Sequence, residues 1–316
     1  MPDLDTPYSI EDQIDLMKRY VVFTKRIRMR RILGYSGYFR LSRYGKYLLS
    51  FTNVLGAKPK QDLLFDLYQF DVELRNLFFS YTKKAEIQFK SHLSNAVSLA
   101  TNDPVFYLKD SYYTKSRGDK DKQKRKSNIK YYPNFEKTVI DAEKALRKKV
   151  NKYPEFQEYR HGGTRSAKKI PCWAAFSYFE FGSITNIYAY LRGDLRKDVL
   201  VYGYSQERYG KETTKQMDTW LDAIRNLRNV CSHHNKLVGK TSSVVLLDNA
   251  DDVNLLSSQT DLFSRVYALK KVMRAEDSEE LKSDLQKVIK KAKFDIYKFN
   301  ILPKEWEDLF ERINYL

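Results

Sequence analysis

Cysteine occurs only twice in this 316-residue chain, at Cys172 and Cys231. The two lie far apart, with no C-x-x-C spacing and no histidine cluster beside them, which argues against a disulfide framework or a zinc site. Both are read as reduced core thiols. Histidine is nearly as scarce, at positions 92, 161, 233 and 234, so the search for a general acid or base of that type is short. No glycine-rich loop leads into a helix, no repeat recurs and strands do not alternate with helices, which removes the common nucleotide-binding and solenoid architectures. No apolar run reaches about 18 residues, and Met1 to Gln13 lacks a basic segment followed by an apolar stretch. Membrane spanning and secretion are disfavoured, and a cytoplasmic location is the expectation.

What the chain has in abundance is positive charge, with 57 Lys and Arg against 40 Asp and Glu, a net +17. Such an excess calls for a polyanionic partner, either nucleic acid or an anionic membrane surface. Hydrophobic residues make up 42% of the chain, enough to fill a sizeable core. Tyrosine (24) and phenylalanine (18) dominate its aromatics, and tyrosine can bury a ring while its hydroxyl finds a polar partner.

Periodicity makes the chain all-α. Ser9 and Asp12 form a capping box ahead of Ile14, Leu16 and Met17. Lys25, Arg26, Arg28, Arg30 and Arg31 crowd one short segment, read either as a solvated basic helix face or as an RNA contact. From Gln61 to Ala100, apolar residues at helical spacing with no glycine or proline predict one long amphipathic helix. A polar, cationic stretch near 115–130, with Lys122, Lys124, Arg125 and Lys126, reads as an exposed loop that could also hold RNA. Helical pattern returns at Asn134–Tyr153. Ile170–Phe181 is nearly all apolar and expected to be buried, with Gly182 and Ser183 either ending it or sitting at a close helix contact. Further helices are expected at about Thr214–His234, Leu262–Met273 and Glu279–Lys293, with a β-prone interruption at Ser243–Leu247. The domain reading is an N-terminal basic, tyrosine-rich helical region (1–60), a helical core (61–240) and a C-terminal helical region (241–316).

The segment that could do chemistry closes the helix near 214–234. Leu221, Ile224, Leu227 and Cys231 form its buried stripe, and Arg225, Asn229 and His233 share a neighbouring face at steps of four. Arg228 lies about 140° from His233 around an ideal helix, so its long side chain must reach across for both to meet one phosphate. Metal-free RNA cleavage needs a group to take the 2′-hydroxyl proton, a group to protonate the leaving 5′-oxygen, and positive charge on the phosphate. Arginine, asparagine and histidine supply most of this. An arginine and a histidine at this spacing are a weak signal alone, and the bland alternative has the histidines capping the helix C-terminus.

The wider pattern narrows the choice. Arg228-Asn229-Val230-Cys231-Ser232-His233-His234 resembles the R-N-x-x-x-H-h signature of HEPN ribonucleases, in particular the Abi-like AbiD/AbiF abortive-infection proteins. Leu67 to Arg75 resembles that family's Y-x-F-D-x-x-L-R helix, and Ile170-Pro171-Cys172-Trp173 through Phe181-Gly182-Ser183 its P-x-W and S-F-G block. Tyr38 to Tyr44 is similar to its Y-Y-R-L-S-G-Y element and Leu302 to Trp306 to its F-P-x-x-W. Departures are Arg43 in place of a usual glycine, Ser232 in place of a common alanine, and the cationic 115–130 stretch.

The resemblance implies a HEPN-like helical bundle with N- and C-terminal helical extensions. It also implies toxin-like, metal-independent RNA cleavage in anti-phage defence, a homodimer pooling its active residues, and for some members a structured non-coding RNA partner. Arg228, Asn229 and His233 would be catalytic, with His234 and Arg225 in support and no cofactor. The competing readings are a non-catalytic RNA-binding module and a nucleotidyltransferase partner or scaffold with a degenerate HEPN fold. Asp71 and Arg75 read as a structural ion pair, with Asp71 or Glu73 as a residue that could orient the active helix, and Pro171, Trp173, Phe176, Phe179 and Phe181 as core.

Overall fold

The computed structural model describes residues 7–114, 132–148, 155, 169–204, 209–239, 252 and 255–316. Among these residues there is no strand, only the isolated bridges Val22 to Lys60 and Tyr113 to Leu191. The all-α expectation holds.

One helix organises the rest. Helices α1 (Ile10–Met17), α2 (Arg26–Ser36), α3 (Tyr38–Leu49) and the short α4 (Thr52–Leu55) lead into α5 (Gln61–Thr101), whose 41 residues span about 60 Å at the α-helical rise. No glycine or proline interrupts α5, and Asn102 ends it in the left-handed region at φ 48°. Leu64, Leu67, Phe70, Leu74, Phe78, Tyr81, Ala85, Phe89 and Leu93 line its buried face at steps of three and four. Burying each of the larger side chains contributes about 1.5 to 3 kcal/mol.

Around α5 pack α7 (Cys172–Tyr178), α8 (Phe181–Tyr190), α9 (Gly193–Tyr204), α10 (Lys211–Ser232), α11 (Leu262–Val272) and α12 (Ala275–Lys290), while α6 (Tyr132–Lys148) lies against α7 and α8 and α13 (Trp306–Arg312) against α11. The α1 start is as its sequence dictates: the Asp12 amide donates to the Ser9 hydroxyl at 3.2 Å and the Ser9 amide to the Asp12 carboxylate at 3.1 Å. Helices α2 and α3 join at Gly37, whose φ of 74° strains any residue with a Cβ.

The apolar 170–181 segment differs from its reading in two ways. Ile170, Phe176, Phe179 and Phe181 are buried, but Trp173 is 52% exposed, because α7 is a single-sided helix and residue 173 falls on its outer face. The break comes at Phe179 and Glu180, before Gly182, which lies in the first turn of α8 with Arg225 beside it. The β-prone Ser243–Leu247 stretch, His161 and the cations Lys122, Lys124, Arg125 and Lys126 lie outside the described residues.

Candidate active site

The Arg/His segment is the C-terminal end of α10. Met217, Trp220, Leu221, Ile224, Leu227 and Cys231 bury one face, which turns Asn229 outward. His233 is the C-cap, its amide donating to the Asn229 carbonyl at 3.1 Å. His234 follows in the left-handed region at φ 53°. The His234 amide donates to the Cys231 carbonyl at 3.1 Å and the Asn235 amide to the Val230 carbonyl at 3.0 Å, the paired bonds of a Schellman ending. The two histidines therefore do close the helix, as the bland reading had it. Both side chains are exposed, so closing the helix leaves the imidazoles available for chemistry.

This exposed end is held from beneath by α5. Asp71, fully buried, accepts the Leu237 and Val238 amides at 2.8 and 2.6 Å and the Tyr44 hydroxyl at 2.6 Å. Arg75, one turn on, lies 3.4 Å from the Asp71 carboxylate and donates to the carbonyls of His234 and Asn235 at 2.8 and 3.2 Å. Burial pushes the Asp71 carboxyl above its ordinary range, while the Tyr44 hydroxyl, the two amides and Arg75 pull the other way. The pair expected to be structural is structural, and what it structures is the chain around His233.

Arg228 and His233 are anchored separately. The Arg228 Nε is buried without a hydrogen bond and lies 3.6 Å from the Glu86 carboxylate, which is itself ion-paired to Lys90 at 2.7 Å. Lys90 in turn donates to the Phe179 carbonyl at 2.8 Å, which ties α5 to the break between α7 and α8. Glu86 was not legible as part of the site; its only sequence signal is the four-residue spacing to Lys90. Arg225 pairs with Asp222 at 2.9 Å and reaches the Thr185 hydroxyl at 3.4 Å. Arg225, Arg228 and Asn229 line a cleft of about 340 Å³ with Glu180, Phe181, Gly182, Asp222 and Asn226. His233 is not among the residues that line it.

Of the expected RNA-binding cations, Arg26 is held by Glu11 and Asp15, Arg30 by Glu11 and Arg28 by Asp62. Lys25 and Arg31 are exposed and make no ion pair among the described residues. Segment Lys25–Arg31 thus carries less free charge than its composition suggests. No group of three His, Cys, Asp or Glu side chains among the described residues could hold a metal ion.

With this geometry in place, the family model described as Abi-like protein matches residues 31–238. The chain belongs to the Abi-like family. The match runs from the middle of α2 to Val238 and so takes in α5, α10, Asp71, Arg75, Glu86, Arg228 and both histidines of the α10 end. Abi-like membership gives the chain a role in abortive infection. Neither a curated protein nor a solved structure matches the chain. Among the described residues, no helix of this Abi-like chain is long and apolar enough to cross a membrane.

Proposed function

We propose that this Abi-like chain is a metal-independent endoribonuclease of the HEPN type. It acts as a toxin-like effector in anti-phage defence, works as a homodimer, and is controlled by a structured non-coding RNA. The observation that carries the reading is the exposed end of α10. There an arginine, an asparagine and a histidine stand within six residues on a backbone locked by the buried Asp71 and Arg75. A buried carboxylate costs desolvation energy. Spending it on the backbone around two exposed histidines makes sense where those side chains must be held to fixed geometry.

In the proposed reaction His233 accepts the proton of the RNA 2′-hydroxyl, whose oxygen attacks the adjacent phosphorus. The bond to the 5′-oxygen breaks, and that oxygen is protonated by the same residue of a second copy. Arg228 donates to the phosphate oxygens as charge builds on them, and Asn229 adds a neutral donor. With one such histidine per chain, two copies supply both proton transfers. The products carry a 2′,3′-cyclic phosphate and a 5′-hydroxyl.

The test is cleavage of RNA by the purified chain in chelator, with the product ends identified chemically and His233→Ala as control. Cyclic phosphate ends that form in chelator and vanish in the variant are expected. Cleavage that requires added magnesium and leaves 5′-phosphate ends would overturn the reading.

A further inference from the structure

Between Leu16 and Gln61 the chain has twelve lysines and arginines and not one aspartate or glutamate. Carboxylates flanking that stretch, Glu11, Asp15 and Asp62, take up Lys18, Arg26, Arg28 and Arg30. The other eight, Arg31, Arg40 and Arg43 among them, make no ion pair among the described residues. On the same two helices stand the most exposed large apolar side chains of the described chain, Tyr35 at 88%, Phe39 at 77% and Ile27 at 76%.

These residues are ordered, not scattered. Ile27, Arg31 and Tyr35 follow one another at four-residue steps on α2, and Phe39, Arg43 and Tyr47 do the same on α3, so each set forms one stripe. Gly37 makes the turn between the stripes. The Arg43 guanidinium lies 5.6 Å from the centre of the Phe39 ring. At the other end of the α3 stripe, the Lys236 ammonium lies 4.3 Å from the centre of the Tyr47 ring, and residue 236 is only three positions after His233. Arg43 is close enough that its charge adds to the burial that lowers the Lys236 pKa to about 8. The α3 stripe is therefore continuous from the end of α10 to Phe39, and Tyr35 lies four residues before Phe39 in sequence, across the Gly37 turn.

Exposed rings interleaved with unneutralised arginines suit a nucleic acid whose bases are unpaired: each ring offers a stacking face and each guanidinium a phosphate partner. A duplex would present phosphates but no base faces. Eight of the twelve cations make no ion pair among the described residues and the flanking carboxylates Glu11, Asp15 and Asp62 are already engaged, which favours a polyanion over a protein partner. We propose that Tyr35 and Phe39, with Arg31 and Arg43, form a stacking path for single-stranded RNA that leads to His233. This rests on the reading of the chain as an RNA-cutting enzyme and adds to it the strandedness of the substrate and the side from which it enters.

The experiment measures binding of a fluorescent oligouridylate, and of an RNA duplex of equal length, across salt concentrations. The parent is the full chain carrying His233→Ala, so that nothing is cut. Replacing both exposed rings, Tyr35→Ala with Phe39→Ala, should weaken single-strand binding roughly tenfold or more with the salt slope unchanged. Duplex binding should not move. Replacing Arg31→Gln with Arg43→Gln should instead flatten the slope by about 0.7 for each phosphate no longer neutralised. An aromatic variant that binds oligouridylate as tightly as its parent, or that loses duplex binding equally, overturns the path. So does an altered oligomeric state by light scattering with RNA binding intact, which would assign the row to a protein contact. Cleavage by the unmodified chain is scored separately. A chain that cuts RNA while its aromatic variant binds normally loses the path alone, and a chain that cuts nothing while the variant loses binding keeps the path and loses the nuclease.

Discussion

The Arg75 guanidinium donates to the His234 backbone carbonyl at 2.8 Å across 159 residues of sequence. That bond, with the amides gripped by Asp71, makes α5 the support on which the α10 ending rests. Asp71→Ala should lower stability by about 3 to 5 kcal/mol, because it strands Arg75 and two backbone donors in the core. Urea unfolding gives the loss directly. A fall of less than 1 kcal/mol, on the order of a surface pair, would mean that the clamp is not what holds the ending.

Adjacent histidines are expected to behave in opposite ways. His234 occupies a left-handed position at φ 53°, where glycine carries no Cβ penalty. His234→Gly should therefore leave stability unchanged or raise it by up to about 1 kcal/mol, with RNA cleavage retained. His233→Ala and Arg228→Ala should each abolish cleavage and cellular toxicity with the fold intact, a loss of at least about a hundredfold for a proton-transfer group. Circular dichroism with a cleavage assay on the same samples separates the cases. An inactive, folded His234→Gly would move the chemistry to the second histidine.

His92, on α5, gives a prediction in pH. Burial lowers its pKa from 6.5 to about 4, and its ring sits among Tyr202, Tyr204 and Gly203, where a Cβ at 203 would meet the imidazole at 2.2 Å. The unfolded chain binds a proton at 92 that the folded chain refuses. Its contribution is thus fully present above pH 6.5 and is lost as the pH falls from 6.5 towards 4, with a slope of at most about 1.4 kcal/mol per pH unit. His92→Gln, which has no charge to gain, should flatten that part of the profile. Urea midpoints of parent and variant at several pH values check it, and parallel profiles would show that residue 92 does not titrate on unfolding.

The cations of α2 should not contribute equally to RNA binding. Arg26, Arg28 and Arg30 are already paired with carboxylates, so their neutralisation should change the salt slope less than that of Lys25 and Arg31. Each phosphate deprived of its cation should flatten the slope by about 0.7 to 0.9. Titrations of the Lys25→Gln, Arg31→Gln double variant beside Arg26→Gln, Arg28→Gln decide. Equal effects would mean that RNA displaces the ion pairs.

Much of this was written in the sequence, and what escaped did so for physical reasons. The capping box, α5 and the α10 stripe depend on neighbours within four residues, and such local patterns are visible in one dimension. Glu86 beside Arg228 and Asp71 beneath Leu237 and Val238 depend on helices crossing, and no spacing within α5 announces them. Trp173 was misplaced because an almost uniformly apolar segment does not say which of its residues faces out. Helix α9 drew no expectation: it opens on Gly193 and carries Gly203, which propensity alone would assign to turns. The segment Lys25–Arg31 was legible as charge, but its three ion-paired arginines are held by Glu11, Asp15 and Asp62, on either side of it in the chain.

The unbroken length of α5 turns it into a ruler. Asp71 and Arg75 grip the end of α10, and Glu86, three turns further on, meets Arg228, so one rigid rod sets both the height and the angular phase of two groups on a second rod. A single residue inserted between Arg75 and Glu86 would lengthen α5 by only about 1.5 Å but rotate everything beyond it by about 100°. Glu86 would then face away from Arg228 while the clamp at Asp71 stayed in place. Substitutions along this stretch can be absorbed one side chain at a time, whereas insertions and deletions cannot, so the count of residues between positions 75 and 86 is itself part of the site.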